Sequence, residues 1–418
     1  MNPVIVIPSY WDIKSQAKSG EILGCYDHAT PVDKAVPELE TCLQSLEQVR
    51  GVMRVVILLV APVEVEEEAR GIVDNICKAH SILNPCVIGT AEANLVKDKI
   101  SELVPDMSGE TVSLRGYGAI RNMGLAVAAV LGHDVVVFLD DDEIALTPDY
   151  LINAVYGLGR VNRQGLPILA KSGYFLNPMG SPYADTASIK WYDKKWAKKE
   201  DFNAWLSGAL SGIRMSRSNV MCGGCMAVHA DAFMNVAFDP WITRGEDFDY
   251  LINLRMRSID VWFDNKWRVK HMPPPTSYVP SRFQQDIYRW LYEAEKIDTA
   301  NSYIRLRPIT QESLSPYPGK WINKKWVLES VNWTVRARIV GTKQHLAYLK
   351  IKHKGIISAL NYAKDNAYRY FSFMTFWPTL MAGLWDDDNL AQNILSTASF
   401  ERINNNDETE DAIKVEDE

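Results

Sequence analysis

Three short runs, VIVIP at residues 4–8, VVILLV at 55–60 and VVVFL at 135–139, lack the alternation of polar and apolar residues that a strand with one wet face would show. Strands of this kind are covered on both faces, which calls for a sheet held between two layers of helices. The segments between them supply such helices. PELETCLQSLEQV (37–49) places Leu39, Leu43 and Leu46 at helical spacing, and VEVEEEARGIVDNICKAH (63–80) is charged and amphipathic. CVIG (86–89) reads as a further short strand, and the small-residue stretch after it predicts a helix from about Tyr117 to Leu131, closed by Gly132. Strand and helix signals alternate through the first 275 residues, which predicts an α/β fold with a mainly parallel sheet.

At 418 residues the chain is too long for one typical domain. The expected division is a main domain over 1–275 with an insertion at about 174–220, a mainly helical region over 276–400, and an acidic, disordered tail over 401–418. Net charge is −7, but the last twelve residues, DETEDAIKVEDE, hold seven acids against one lysine, so the body is close to neutral. No basic stripe points to nucleic acid. The N-terminus, MNPVIVIPSYW, lacks a leader's apolar core and reads as a strand from the start. The cysteines at 25, 42, 77, 86, 222 and 225 are scattered, which suits reduced thiols in a cytoplasmic protein. Cys222 and Cys225 form a lone C-x-x-C, for which no metal or redox role is expected. FSFMTFWPTLMAGLW (371–385) is broken by a proline and falls short of the roughly 20 residues that span a bilayer. It is expected as a buried element, with contact to a membrane surface or a second subunit as the alternative.

Asp140, Asp141, Asp142 and Glu143 follow the third apolar run directly. The next segment, LTPDYLINAVYGL, predicts a helix with Thr147 as N-cap and Pro148 in its first turn, so the acids sit in a loop at the carboxyl end of a central strand. Open α/β sheets bind ligands at that edge. Like charges about 4 Å apart repel by ~4 kcal/mol at an effective dielectric of 20, so such a cluster needs either water or a cation. A second cluster, Glu246 and Asp247 in RGEDFDYLINLRMRS, opens an amphipathic helix that carries Arg255 and Arg257 later, an order that also suits the helix dipole. His271 lies further on, in VKHMPPP. Carboxylates with a histidine make a ligand set for Mn²⁺ or Mg²⁺, ions that commonly hold phosphates.

The order VIVIPSYW, GAIRNMGL, VVVFLDDDEI, CGGCMAVHADAF, RGEDFDYLINLRMRS and VKH resembles the family-2-like glycosyltransferases with a GT-A fold, over residues 3–275. The resemblance implies a Rossmann-like, mixed and mainly parallel sheet with helices on both faces and a helical C-terminal extension. It also implies metal-dependent transfer of a sugar, as a hexosyltransferase, from a nucleotide-diphosphate sugar to an acceptor hydroxyl, with inversion. Pro8, Ser9 and Tyr10 would line the nucleotide pocket, and Arg121, Asn122 and Gly124 would contact the donor. The D-x-D motif falls on Asp140 and Asp142, Asp142 as metal ligand and Asp140 nearer the ribose, with Asp141 beside them in the donor site. Asp247, with Glu246 next, would be the catalytic base, and His271 a further metal ligand.

The family's DDGS after the second strand is replaced here by VVILLVAPVEVEEEA, so the donor is left open between UDP- and GDP-linked sugars. The acceptor is undetermined. Three other readings stay open: a retaining glycosyltransferase of the kind that acts on glycerate or phosphoglycerate, a haloacid-dehalogenase-like phosphatase, and a catalytically silent nucleotide-sugar-binding protein.

Overall fold

The computed structural model describes residues 1–13, 26, 29–274 and 280–397. The expected acidic tail and Cys25 lie outside the described residues. The first half of the fold runs β1 (Pro3–Asp12), β2 (Thr30–Pro31), α1 (Glu38–Leu46), β3 (Val55–Val60), α2 (Glu66–Ala79), β4 (Pro85–Ile88), α3 (Thr90–Leu103), α4 (Tyr117–Val130), β5 (Val135–Phe138), β6 (Glu143–Ala145) and α5 (Tyr150–Val155). It continues through β7 (Arg160–Val161), β8 (Pro167–Ile168), β9 (Ala170–Leu176), α6 (Lys199–Ser211), β10 (Met215–Arg217), β11 (Met226–His229), α7 (Ala230–Phe233), α8 (Glu246–Met256) and β12 (Val261–His271). Six helices follow: α9 (Pro280–Asn301), α10 (Lys324–Gly341), α11 (His345–Lys350), α12 (Ile356–Asn366), α13 (Arg369–Leu384) and α14 (Asp388–Thr397).

The main sheet has the order β10-β12-β9-β11-β5-β1-β3-β4. The strands from β5 to β4 are mutually parallel, β11 runs against both β5 and β9, and β12 is parallel to β9. The fold is therefore mixed α/β with a mainly parallel sheet and a helical C-terminal region. Alternate residues of the apolar strands divide between two cores. Val4, Val6, Val56, Leu58, Val136 and Phe138 face α3, α4 and α8, whereas Ile5, Ile7, Val55, Ile57, Val135 and Val137 face α1, α2 and α5. Successive strand residues point to opposite faces, so a strand buried on both must be apolar throughout.

β1 does not stop at Pro8 but continues to Asp12. Its pairing with β5 ends at Val6 and Phe138, and Val6 turns its carbonyl toward β5. Pro8, two residues on, faces the same side beyond the last β5 pair, so its missing N–H leaves no ladder bond unmade. The helix expected from Thr147 starts later: the Tyr150 amide bonds the Thr147 carbonyl in a turn that holds Pro148, and α5 is only six residues long.

α8 is not amphipathic, because Glu246 and every residue from Phe248 to Met256 are buried. The sheet covers one side of it and the C-terminal helices the other. The 371–385 stretch forms most of α13, with Phe373, Met374, Trp377, Leu380, Met381 and Leu384 buried as it packs on α3 and α4. Burying each such side chain is worth about 1.5–3 kcal/mol, and this accounts for the apolar face without a membrane or a second subunit. Among the described residues no helix is long and apolar enough to cross a membrane.

The C-terminal helices are also tied by polar groups to α7, α8 and the segment between them. Tyr362, Tyr370 and Trp377 donate to the carbonyls of Trp241, Ala237 and Phe233. Lys296 of α9, fully buried, bridges Asp239 at 2.7 Å and Asp249 of α8 at 2.5 Å. Tyr292 donates to Asp239 and Asn253 to Asp249, which satisfies further lone pairs of both acids. Removing the cation would strand two buried carboxylates. Lys296→Met is expected to lower stability by about 3–5 kcal/mol near pH 7. The deficit should shrink as pH falls and the stranded acids take up protons. Denaturant midpoints for both chains across pH 5–8 check this, and equal midpoints at pH 7 would contradict it.

Candidate active site

β1 has β3 and β4 on one side and β5 on the other, so the strand order reverses between β1 and β5. A crevice opens at such a switch point, where the connections leave in opposite directions. It brings together Ser9 and Tyr10 from the end of β1, residues 140–143 after β5, and the start of α4. The loop at 220–225 enters from above, because β11 runs antiparallel and begins at this edge.

Arg121 on α4 is the centre of the crevice. It is 3% exposed, donates from Nη2 to Asp140 at 2.7 Å and from Nε to Glu246 at 3.4 Å, and lies 4.9 Å from the Phe138 ring centroid. One guanidinium thus joins the two acidic clusters that stand 106 positions apart in the chain, from Asp140 to Glu246. Burial works against its charge, but Asp140 and Glu246 more than compensate and hold it protonated. Its Nη1 is buried with no partner among the described residues. Burial pushes the Glu246 carboxyl up to about 7; Arg121 opposes this, and Asp247 and Asp140 add to it.

Asp141 turns away from the crevice. It accepts from the Ser9 hydroxyl at 2.8 Å, Ser9 accepts from the Trp11 indole at 3.0 Å, and all three are buried. Burial, followed by the charge of Asp142, raises the Asp141 carboxyl well above its ordinary value. The Tyr10 ring packs at a tilt against Tyr26 at 4.5 Å and Tyr117 at 6.0 Å, making an aromatic wall beside Arg121.

His271 reaches the aspartates through strand pairing. β6 runs antiparallel to the end of β12 with Glu143 opposite His271, and the Met272 amide bonds the Asp142 carbonyl. The His271 Nε2 then lies 3.2 Å from Asp142 Oδ2. Burial alone would lower the histidine, but the hydrogen bond and charge of Asp142, with Glu143 and Asp140, raise it to about 9. Asp142 and His271 fit a divalent cation as a two-residue site, since Mg²⁺ commonly uses one or two protein carboxylates and completes its shell with water and phosphate. Asp140 does not join them in a three-residue group, its carboxylate being on Arg121; among the described residues no group of three metal-ligating side chains stands together.

A cleft of about 260 Å³ joins these parts, lined among others by Asp140, Glu143, His271, Cys222, Gly223, Gly224 and Asp247. Asp247 is half-buried and open to the cleft, whereas Glu246 is buried beneath it against Arg121. Gly224 is required here, because a Cβ on it would stand 1.9 Å from Glu143 Oε2. Three walls come from residues that carried no signal in the sequence: Phe202 of α6, Arg289 of α9, and Tyr317. A basic or aromatic residue in a region without motifs is indistinguishable from a packing residue until the helices are placed.

Two of the residues matched to donor contact have other engagements. The Asn122 amide is fully buried, donating to the carbonyls of Thr111 and Phe238 and accepting from the Phe238 amide at 2.8 Å. Gly124 faces the sheet, where a Cβ would lie 2.8 Å from Val6 Cγ1, so it permits the close approach of α4.

No family model and no curated protein sequence matches the chain. Solved structures similar to it include a mannosyltransferase, PcManGT, from Pyrobaculum calidifontis in complex with GDP-Man and Mn²⁺, at 14% identity and TM-score 0.46, covering 94% of this chain and 86% of that one. A mycobacterial protein is similar at 14% identity and TM-score 0.37, covering 69% and 74%. GalNAc-T7 with UDP, GalNAc and Mn²⁺ is similar at 12% identity and TM-score 0.38, covering 78% and 56%.

Asn122→Ala would strand one amide and two carbonyls in the core. A stability loss of roughly 2–4 kcal/mol is expected from urea unfolding, with nucleotide affinity of the folded protein unchanged. Intact stability with lost nucleotide affinity would place the amide in the donor site instead.

Proposed function

We propose that this chain is a metal-dependent glycosyltransferase of the GT-A, family-2-like kind, transferring a hexose from a UDP- or GDP-linked donor to an acceptor hydroxyl with inversion. The observation that carries this reading is the placement of two acidic groups of different character around one cleft. Asp142 stands 3.2 Å from His271, which lines the cleft, and Asp247 opens to the same cleft from the start of α8.

Asp142 and His271 would hold Mn²⁺ or Mg²⁺, which when bound supplies charge to the departing diphosphate. Tyr10 and Arg121 border the crevice where the nucleotide would lie, with Ser9 buried behind them. Arg121 restrains the Asp140 carboxylate and keeps its repulsion from a diphosphate low. Asp247, which lines the cleft and accepts from the Phe248 amide through Oδ1, would take the acceptor hydroxyl proton as bonding develops. Glu246, behind it and bonded to Arg121, serves to orient rather than to abstract.

The test uses purified full-length protein with Mn²⁺ or Mg²⁺ and a panel of UDP- and GDP-sugars. Donor binding with slow hydrolysis or transfer is expected, and a product anomer opposite to the donor's, read by NMR, would establish inversion. Asp247→Asn should cut kcat by about 10²–10⁴. Asp142→Ala should abolish metal-dependent turnover. A panel in which no donor binds or reacts would overturn the proposal.

A further inference from the structure

Among the described residues, Arg289 is the one arginine or lysine that lines the cleft. It comes from α9, outside the segment that carries the sequence motifs. Its guanidinium is seated on Gly245: a Cβ there would fall 1.9 Å from Arg289 Cζ and 2.2 Å from Nε. Gly245 also has φ +71°, so two independent constraints keep that position bare beside Glu246 and Asp247. Among the described residues Arg289 makes no ion pair or hydrogen bond, and its Nε is buried without a partner. Its contact is with the face of Trp290, at 4.7 Å.

The acid nearest in sequence is already engaged. Asp286, one turn earlier on α9, pairs with Lys198 at 3.4 Å and Arg244 at 3.2 Å. Against burial, Lys198, Arg244 and Arg289 together hold it well below the ordinary carboxylate range. Arg289 therefore brings to the cleft a guanidinium that no carboxylate pairs directly among the described residues and whose buried Nε has no partner there, a state that an anion would relieve. Asp140, Glu143 and Asp247 line the same cleft, and an anionic ligand would meet them unfavourably without this cation. Phe202 and Tyr317, 5.7 Å apart edge to face, wall the same end of the cleft.

We infer that Arg289 makes the enzyme select an acceptor carrying a phosphate or carboxylate group close to the hydroxyl that receives the sugar. This rests on the glycosyltransferase reading and deepens it. Arg289 borders Gly245 and Asp247, the acceptor side of the cleft, whereas the Tyr10 and Arg121 wall is the donor side. Phe202, Tyr317 and Arg289 then form an acceptor subsite built from the α6 segment and the C-terminal helices.

Two measurements on full-length protein test it, one of them independent of turnover. In metal-free buffer, inorganic phosphate should raise the melting temperature of the wild type saturably and that of Arg289→Gln little; equal shifts in both, or none in either, overturn the inference. With Mn²⁺ and a donor shown to bind, matched acceptors such as mannose 6-phosphate against mannose, and glucuronate against glucose, are compared. The anionic member of a pair should be preferred, and Arg289→Gln should raise its KM by roughly 10- to 100-fold, with Arg289→Lys recovering part of the loss. Preference for the neutral member overturns the inference while leaving glycosyl transfer intact. A comparable rise in donor Kd assigns Arg289 to the donor diphosphate and also overturns it. Failure of every donor to bind marks failure of the underlying reading instead, separately from the phosphate result.

Discussion

The buried guanidinium of Arg121 lies between two acidic segments that would otherwise repel one another at the sheet edge. At an effective dielectric of 20, two carboxylates about 4 Å apart repel by ~4 kcal/mol, and burial weakens the screening further. Arg121 bonds Asp140 on one side and Glu246 on the other, which sets the spacing of the crevice. Around that fixed pair the remaining acids divide by environment. Asp141 is turned into the core by Ser9, Asp142 is paired with His271, and Asp247 is left open to the cleft. The five carboxylates thus differ in surroundings: two share Arg121, one is held by Ser9, one by His271, and one faces the cleft.

The long strand β12 delivers the histidine. Its first half lies in the main sheet, its register against β9 shifts between Phe263 and Arg268, and its last residues pair with β6. An irregularity of this kind redirects a strand. Here it carries His271 back to the aspartates that follow β5. The C-terminal helices then close the site from the other side. The Lys296 bridge fixes α9 to α8, and the same helix presents Arg289 about two turns before that lysine. The buried Lys296 bridge and the cleft-lining Arg289 thus share one helix.

Much of the sheet was legible because its strands are buried on both faces, and continuous apolar runs such as 55–60 and 135–139 mark such strands plainly. The acids at 140–143 were legible for the same reason, since they interrupt an apolar run abruptly. The passage of β1 through Pro8 was not, because only the pairing shows that the proline faces the side where β5 has ended. The burial of α8 was likewise hidden, its outer cover coming from helices that lie after it in the chain. Asn122 and Gly124 share a motif with Arg121, yet only Arg121 faces the crevice; successive helix positions turn by about 100°, and a linear motif does not say which residue of a run is the functional one. Arg289 and Tyr317 had no local signal at all, because their role arises from long-range packing.

The central claim is that Asp142 and His271 together grip a divalent cation against a nucleoside diphosphate at the β1–β5 crevice. Pulsed electron paramagnetic resonance of Mn²⁺ bound to the full-length protein with GDP or UDP addresses it directly. The account predicts nitrogen and phosphorus couplings on the same Mn²⁺ ion, the nitrogen coupling vanishing in His271→Asn and the affinity collapsing in Asp142→Ala. A Mn²⁺ signal with no nitrogen coupling, or one indifferent to both substitutions, would contradict it.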